Sequence, residues 1–247
     1  MINITSTDNN RIKEVCRLRE RKGRKALNKY ITEGYRNVKD SLPYLTGAEI
    51  YVSQSAYERY CAEFDVYAVC ADNVFAKMSD TENSQGVLCV SDIPADKFAD
   101  GKDCVYLDGI ADPGNLGTIL RSCLATGFDN VVLAGGVDCY NPKVVRSAMS
   151  AVCKLNICSL SEEISLEKLK EKGFVVICAD MNGKNLFDCR FGDAKKCLII
   201  GSEANGVSDM ALREADVTVS LPMGRIESLN AAVCASVMMY ELKYNKK

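Results

Sequence analysis

The sequence predicts an α/β protein whose larger, C-terminal part is a parallel sheet covered on both faces. Three observations predict it. From residue 103 onward, short and nearly continuous apolar runs alternate with helical patterns, the signature of strands buried on both faces. Residues 30–92 carry a smaller strand–helix–strand pattern of their own. The chain has 247 residues, 26% charged and 47% hydrophobic, with 17 Gly and 5 Pro; such values exclude a disordered, collagen-like or coiled-coil chain.

The first element is basic. Residues 11–29 hold nine Lys and Arg against Glu14 and Glu20, a balance of +7 in a chain of net charge -2. Ile12, Val15 and Leu18 fall on one helical face, with the cations around it. A solvated helix is the ordinary reading of such a run. Its one-sidedness in an otherwise acidic chain favours a polyanion, and the candidate contacts are Arg11, Lys13, Arg21, Lys22, Arg24 and Lys25. Residues 50–53, 66–69 and 87–90 read as strands and 56–64 as a helix. This gives an N-terminal domain at 1–92 and a linker at 93–102, where Pro94 stands among Asp and Lys. The third part, 103–247, has strand candidates at 104–107, 131–134, 175–179, 198–200 and 217–221. Helix candidates lie at 116–126, 143–150, 165–172 and 228–244.

Two features of composition narrow the chemistry. There is no His, so imidazole bases, Ser-His-Asp and Cys-His mechanisms and His-ligated metals are excluded. The 13 Cys are scattered, odd in number and without a CxxC pair, many inside apolar runs. They read as reduced core thiols, not as a disulfide or zinc framework. No run of about 18 apolar residues suggests a membrane helix, and the N-terminus shows no basic region followed by an apolar stretch. A cytoplasmic protein without a metal is expected.

In a parallel sheet, ligands bind where loops leave the carboxyl ends of the strands. Three such loops stand out. The first is Asp108-Gly109-Ile110-Ala111-Asp112-Pro113-Gly114-Asn115, entering a helix that carries Arg121; Asn115 can cap it. The second is Gly201-Ser202-Glu203-Ala204-Asn205-Gly206, with a carboxylate between glycines. The third is Leu221-Pro222-Met223, followed by Glu227-Ser228-Leu229-Asn230 at the start of the last helix, where backbone N–H groups could bind polar atoms. Singly each has a bland reading as a turn or a cap; a capping Ser228 is common.

Together and in this order, with Asn115-Leu116-Gly117-Thr118-Ile119-Leu120-Arg121 and Asn141-Pro142-Lys143-Val144-Val145-Arg146, they closely resemble the SpoU/TrmH family of RNA methyltransferases in the SPOUT superfamily. The resemblance extends over essentially the whole chain. Asn10-Arg11-Ile12-Lys13, Glu33-Gly34 and Ser84-Gln85-Gly86-Val87 look like that family's substrate-binding domain, which is similar to ribosomal-protein-like RNA binders. The resemblance implies a C-terminal domain with a deep trefoil knot, S-adenosylmethionine as cofactor and a homodimer. It implies methyl transfer to a ribose 2′-hydroxyl, of ribosomal RNA ahead of transfer RNA. A non-catalytic RNA-binding assembly factor of the same fold is the rival. Carried over by position, Asn115, Arg121, Glu203, Ser228 and Asn230 are the active-site residues, and Gly135, Gly201, Leu221, Met223 and Leu229 the cofactor contacts. The resemblance gives Arg121 the activation of the hydroxyl; a phosphate clamp fits a guanidinium equally well, since it deprotonates only above about pH 12. The chain departs from the family pattern at Ser147-Ala148-Met149-Ser150-Ala151, where a run containing Gly is usual, at Leu221 for Ile and at Ala204 for Gly.

Overall fold

The computed structural model describes residues 1–245. The chain divides into two compact units, Met1–Ala95 with Asp138–Lys154, and Asp96–Val137 with Leu155–Lys247.

The first unit begins with β1 (Ile2–Ile4), α1 (Asn10–Arg17), α2 (Arg21–Leu27), β2 (Lys29–Glu33), α3 (Tyr35–Ser41), β3 (Glu49–Ser53), α4 (Tyr57–Tyr60), β4 (Val66–Cys70), α5 (Asp72–Met78) and β5 (Val87–Asp92). Its sheet runs β1-β4-β3-β5-β2, parallel from β1 to β3 and antiparallel across β5. Period-two alternation sorts the core. Tyr51, Leu88 and Val90 face one cluster with Ile12, Val15, Val74 and Phe75, while Ile50, Val52, Val87 and Cys89 face the other with Val38, Tyr60 and Phe64. The basic run, expected as one helix, is two. Asn9 caps α1 by accepting from Arg11 N at 2.9 Å, and the chain turns at residues 18–20. Gly23 of α2 then lies so close to α1 that a Cβ would sit 1.9 Å from Arg17 O. Glu33, buried, accepts from Ser79 Oγ, Thr81 Oγ1 (2.9 Å), Ser84 Oγ (3.0 Å) and Asp80 N (3.1 Å) and so closes the loop before β5.

The second unit starts with β6 (Cys104–Asp108), α6 (Pro113–Thr126) and β7 (Asn130–Ala134). The chain then returns to the first unit through α7 (Pro142–Ala148) and α8 (Ala151–Lys154). It completes the second with β8 (Asn156–Ser159), α9 (Leu166–Glu171), β9 (Phe174–Asn185), β10 (Lys195–Gly201), α10 (Asp209–Glu214), β11 (Val217–Ser220) and α11 (Ala231–Tyr244). All six strands are parallel, in the order β11-β9-β10-β6-β7-β8. Residues 104–107 and 197–200 are almost wholly buried, as strands covered on both faces must be. One face packs on α9 and α10 through Tyr106, Phe174, Val207 and Ala211. Elsewhere in the unit α6 lies on α11, with Ser122 and Ser236 hydroxyls 2.6 Å apart and Cys123 and Thr126 against Met239.

Four further details differ from the sequence reading. Strands β1, β2 and β8 were not expected: β1 has three residues, and β2 and β8 have Lys29 and Asn156 at their starts in place of an apolar run. Residues 143–150 are not one helix, because Met149 breaks it with φ 54° and ψ -142°. Residues 138–154, expected in the third part, fold with the first. Arg24 donates from Nε (2.9 Å) and Nη2 (2.6 Å) to Asp138, Asn37 donates to Val145 O at 3.3 Å, and Arg146 bonds Asp80 at 2.8 Å. The segment read as a linker is pinned in part: Lys97 N donates to Ile157 O at 3.2 Å on β8, and buried Asn130 bonds both Ala99 and Lys102.

Every one of the 13 cysteines is a free thiol, eight of them buried. Burial pushes the Cys89 and Cys178 thiols up to about 12, so they stay protonated and inert.

Candidate active site at the carboxyl ends of the parallel strands

Three loops leave the same edge of the six-stranded sheet, after β6, β10 and β11, and a fourth follows β7. The β6 loop enters α6 through Asp112-Pro113. Pro113 occupies the first turn, where its missing N–H costs nothing, and Asp112 is the cap, accepting from Asn115 N at 2.8 Å. The expectation that Asn115 caps this helix is therefore corrected. Because Asp112 does that work, the Asn115 side chain is free to act elsewhere.

It joins the other two loops. Asn115 Nδ2 donates to Glu203 Oε1 in the β10 loop. Asn115 Oδ1 accepts from Asn230 Nδ2 at 2.9 Å. Asn230 in turn caps α11, accepting from Ala232 N (3.0 Å) and Val233 N (3.3 Å). The helix cap is thus Asn230, not Ser228. Three residues spread over 115 positions of sequence form one polar chain, Glu203–Asn115–Asn230, on exposed or half-exposed ground. The chain fixes the Asn115 amide: its nitrogen faces a carboxylate and its oxygen faces an amide. The second oxygen of Glu203 remains available to accept.

The β10 loop is held tightly. Ser202 and Gly206 exchange two backbone hydrogen bonds of 2.9 Å, and a Cβ on Gly201 would fall 2.2 Å from Gly206 C, so only glycine fits there. Gly135, at φ 80°, has nothing within 4 Å of where a Cβ would stand. Its backbone is open to a ligand. Leu221 is buried just beyond β11, Leu229 is half-buried and Met223 is exposed. Gly201 ends β10, and Gly135, Leu221, Met223 and Leu229 lie on loops at the same sheet edge. They offer backbone polar groups and apolar side chains, a lining compatible with the apolar and hydrogen-bonding parts of a small ligand.

The structure does not join every expected residue to this network. Arg121 lies two turns along α6, exposed, its side chain without a hydrogen bond or ion pair among the described residues; Ser228 is exposed and its side chain likewise makes no bond. In the first unit Arg11, Lys13, Arg21, Lys22 and Lys25 are exposed, with Arg11 stacked 5.0 Å over the Tyr67 ring. Arg24 is the correction. It is 2% exposed and spends its donors on Asp138, Leu18 O and Arg19 O, so it cannot reach RNA. Sequence reasoning missed Asp112, although Asp-Pro at a strand–helix turn is a legible cap. Among the described residues no group of His, Cys, Asp and Glu could hold a metal ion, and no helix is long and apolar enough to cross a membrane.

Residues 103–240 match the SpoU rRNA Methylase family, and residues 9–89 match an MRM3-like substrate binding domain. The chain is 30% identical, over 98% of its own length and 100% of the relative's, to the 23S rRNA (guanosine(2553)-2′-O)-methyltransferase RlmP of Bacillus subtilis. Among solved structures it is similar to an RNA 2′-O ribose methyltransferase, with 29% identity, 97% of each chain covered and a TM-score of 0.81. The fold is shared with the SpoU methyltransferase AviRb of Streptomyces viridochromogenes, solved in complex with AdoMet, at 24% identity, 96% and 98% coverage and a TM-score of 0.84.

Proposed function

Because the chain belongs to the SpoU rRNA methylase family, we propose that it transfers a methyl group from S-adenosylmethionine to a ribose 2′-hydroxyl of ribosomal RNA. The observation that carries the reading is the intact Glu203–Asn115–Asn230 chain at the strand ends. An assembly factor that had abandoned turnover would have no need to keep it. The RlmP relative, a 23S rRNA 2′-O-methyltransferase matched over its full length, favours ribosomal over transfer RNA.

The residues suit the chemistry. S-adenosylmethionine, when bound, supplies a methyl group on positively charged sulfur. The open backbone at Gly135 and the loops of Gly201, Leu221 and Leu229 are where it would be held. The protein's own task is alignment and exclusion of water. Glu203, with one oxygen committed to Asn115, accepts from the ribose hydroxyl with the other and takes its proton as the oxygen gains the methyl group. Arg121, unpaired on α6, clamps a phosphate and sets the ribose in line. Arg21, Lys22 and Lys25 hold the RNA backbone from the first unit.

The pairing of two copies belongs to the same reading. Val233, Val237, Tyr240 and Tyr244 are exposed along one face of α11, beside Phe187. Their spacing marks a helix stripe that no described residue covers, and a second copy of the chain covers it. Val237→Glu should turn a sedimenting dimer into a monomer; a wild-type monomer at micromolar concentration would contradict this.

The test of function is methyl transfer from labelled S-adenosylmethionine into unmethylated ribosomal and transfer RNA, followed by mapping of 2′-O-methyl sites. Label at one ribose of ribosomal RNA is the expected result. Label on a base, or in transfer RNA alone, would contradict it.

A further inference from the structure

Asp108 ends β6, in register with Gly201 of β10 on one side and Ala134 of β7 on the other. It therefore stands between the last ordered residues before two of the site loops. Its Oδ2 accepts from Ser208 N at 2.7 Å, across 100 residues of sequence. Ser208 is the cap of α10, its hydroxyl accepting from Ala211 N at 3.3 Å. The loop carrying Glu203 is thus anchored at both ends. Gly201 belongs to the sheet, the reciprocal Ser202–Gly206 bonds close the turn, and Asp108 holds the far side where the chain leaves for α10. The residues after Asp108 reach the other way: Gly109 N donates to Ala134 O at 3.1 Å, and Val137 N donates to Ile110 O at 2.9 Å. The Asp108–Ile110 turn is the place where the loops after β7 and β10 are both fastened.

We infer that Asp108 is a positioning residue for methyl transfer: it sets the height of the Glu203 turn over the sheet edge and thereby the reach of the Glu203 carboxylate. A carboxylate accepting from a backbone N–H makes a short, strong, charge-assisted bond, and none of the other bonds of this turn fixes Ser208 N. Loss of the tie leaves the Ser202–Gly206 turn intact but free to shift as a body. Displacement of a reacting group by about 1 Å costs a rate on the order of 100-fold. The inference rests on the methyl-transfer reading.

Two variants of the full chain test it, with two readouts. Asp108→Ala removes the acceptor; Asp108→Asn keeps a carbonyl oxygen there. Amide hydrogen exchange of peptides covering 202–210 should quicken in Asp108→Ala and return toward wild type in Asp108→Asn. In the transfer assay kcat should fall about 100-fold in Asp108→Ala with KM for RNA unchanged, and Asp108→Asn should recover most of it. Unchanged exchange, unchanged kcat despite quicker exchange, or failure of Asp108→Asn to rescue would each overturn the inference. A wild-type protein that transfers no methyl group contradicts the functional reading instead, and the exchange measurement still decides whether Asp108 holds the turn.

Discussion

Asn115 shows how much a single cap can decide. With Asp112 and Pro113 opening α6, the Asn115 side chain is released from helix duty and becomes the middle of the Glu203–Asn115–Asn230 chain. Met149 is the opposite case, a side chain where backbone geometry asks for none. Its φ of 54° with ψ of -142° is glycine territory. Met149→Gly should relieve about 1 kcal/mol or more of strain and raise the melting midpoint by roughly 2–4 °C; calorimetry reading a lower midpoint would refute it. Arg24 and Lys22 separate structure from recognition. Arg24→Ala leaves Asp138 without its partner and should cost about 3 kcal/mol of stability. Lys22→Ala should leave stability alone and lower the salt slope of RNA binding by about 1. Denaturant titration and binding at several salt concentrations check both, and equal loss of stability in the two variants would contradict the assignment.

At the scale of elements, the strands of the parallel sheet were the most legible part. Residues 104–107 and 198–200 are apolar on both faces because both faces are covered, so the run itself is the signal. The last helix was visible too, but its start was read at Ser228 and lies at Ala231, because any of several polar residues can cap and only the Asn230 oxygen reaches the helix N–H groups. The basic run was legible as charge and illegible as shape. Nothing in Arg17-Leu18-Arg19-Glu20 announces a turn, and the turn is enforced by Gly23 packing against Arg17 O. On α11 the exposed Val233, Val237 and Tyr240 form the stripe that we propose a second copy covers.

At the scale of the molecule, the two-part layout was readable from a change of pattern near residue 103, and the motifs at the strand ends marked where the Glu203–Asn115–Asn230 chain forms. The course of residues 138–154 was not readable. Their place in the first unit depends on pairs such as Arg24–Asp138 and Asn37–Val145, more than 100 residues apart in sequence, and such pairs leave no periodic trace. The placing of β10 between β9 and β6 is likewise a matter of chain path, not of residue pattern. The central claim is that the loops gathered at this sheet edge hold the methyl donor and align a ribose hydroxyl. The most direct measurement is labelled methyl transfer into ribosomal RNA by the wild-type protein and by Arg121→Ala, with S-adenosylmethionine affinity measured on the same samples. Transfer to one ribose by the wild type, lost in Arg121→Ala while cofactor affinity is kept, is the predicted result. Full transfer by Arg121→Ala, or a wild type that binds neither cofactor nor RNA, would contradict the account.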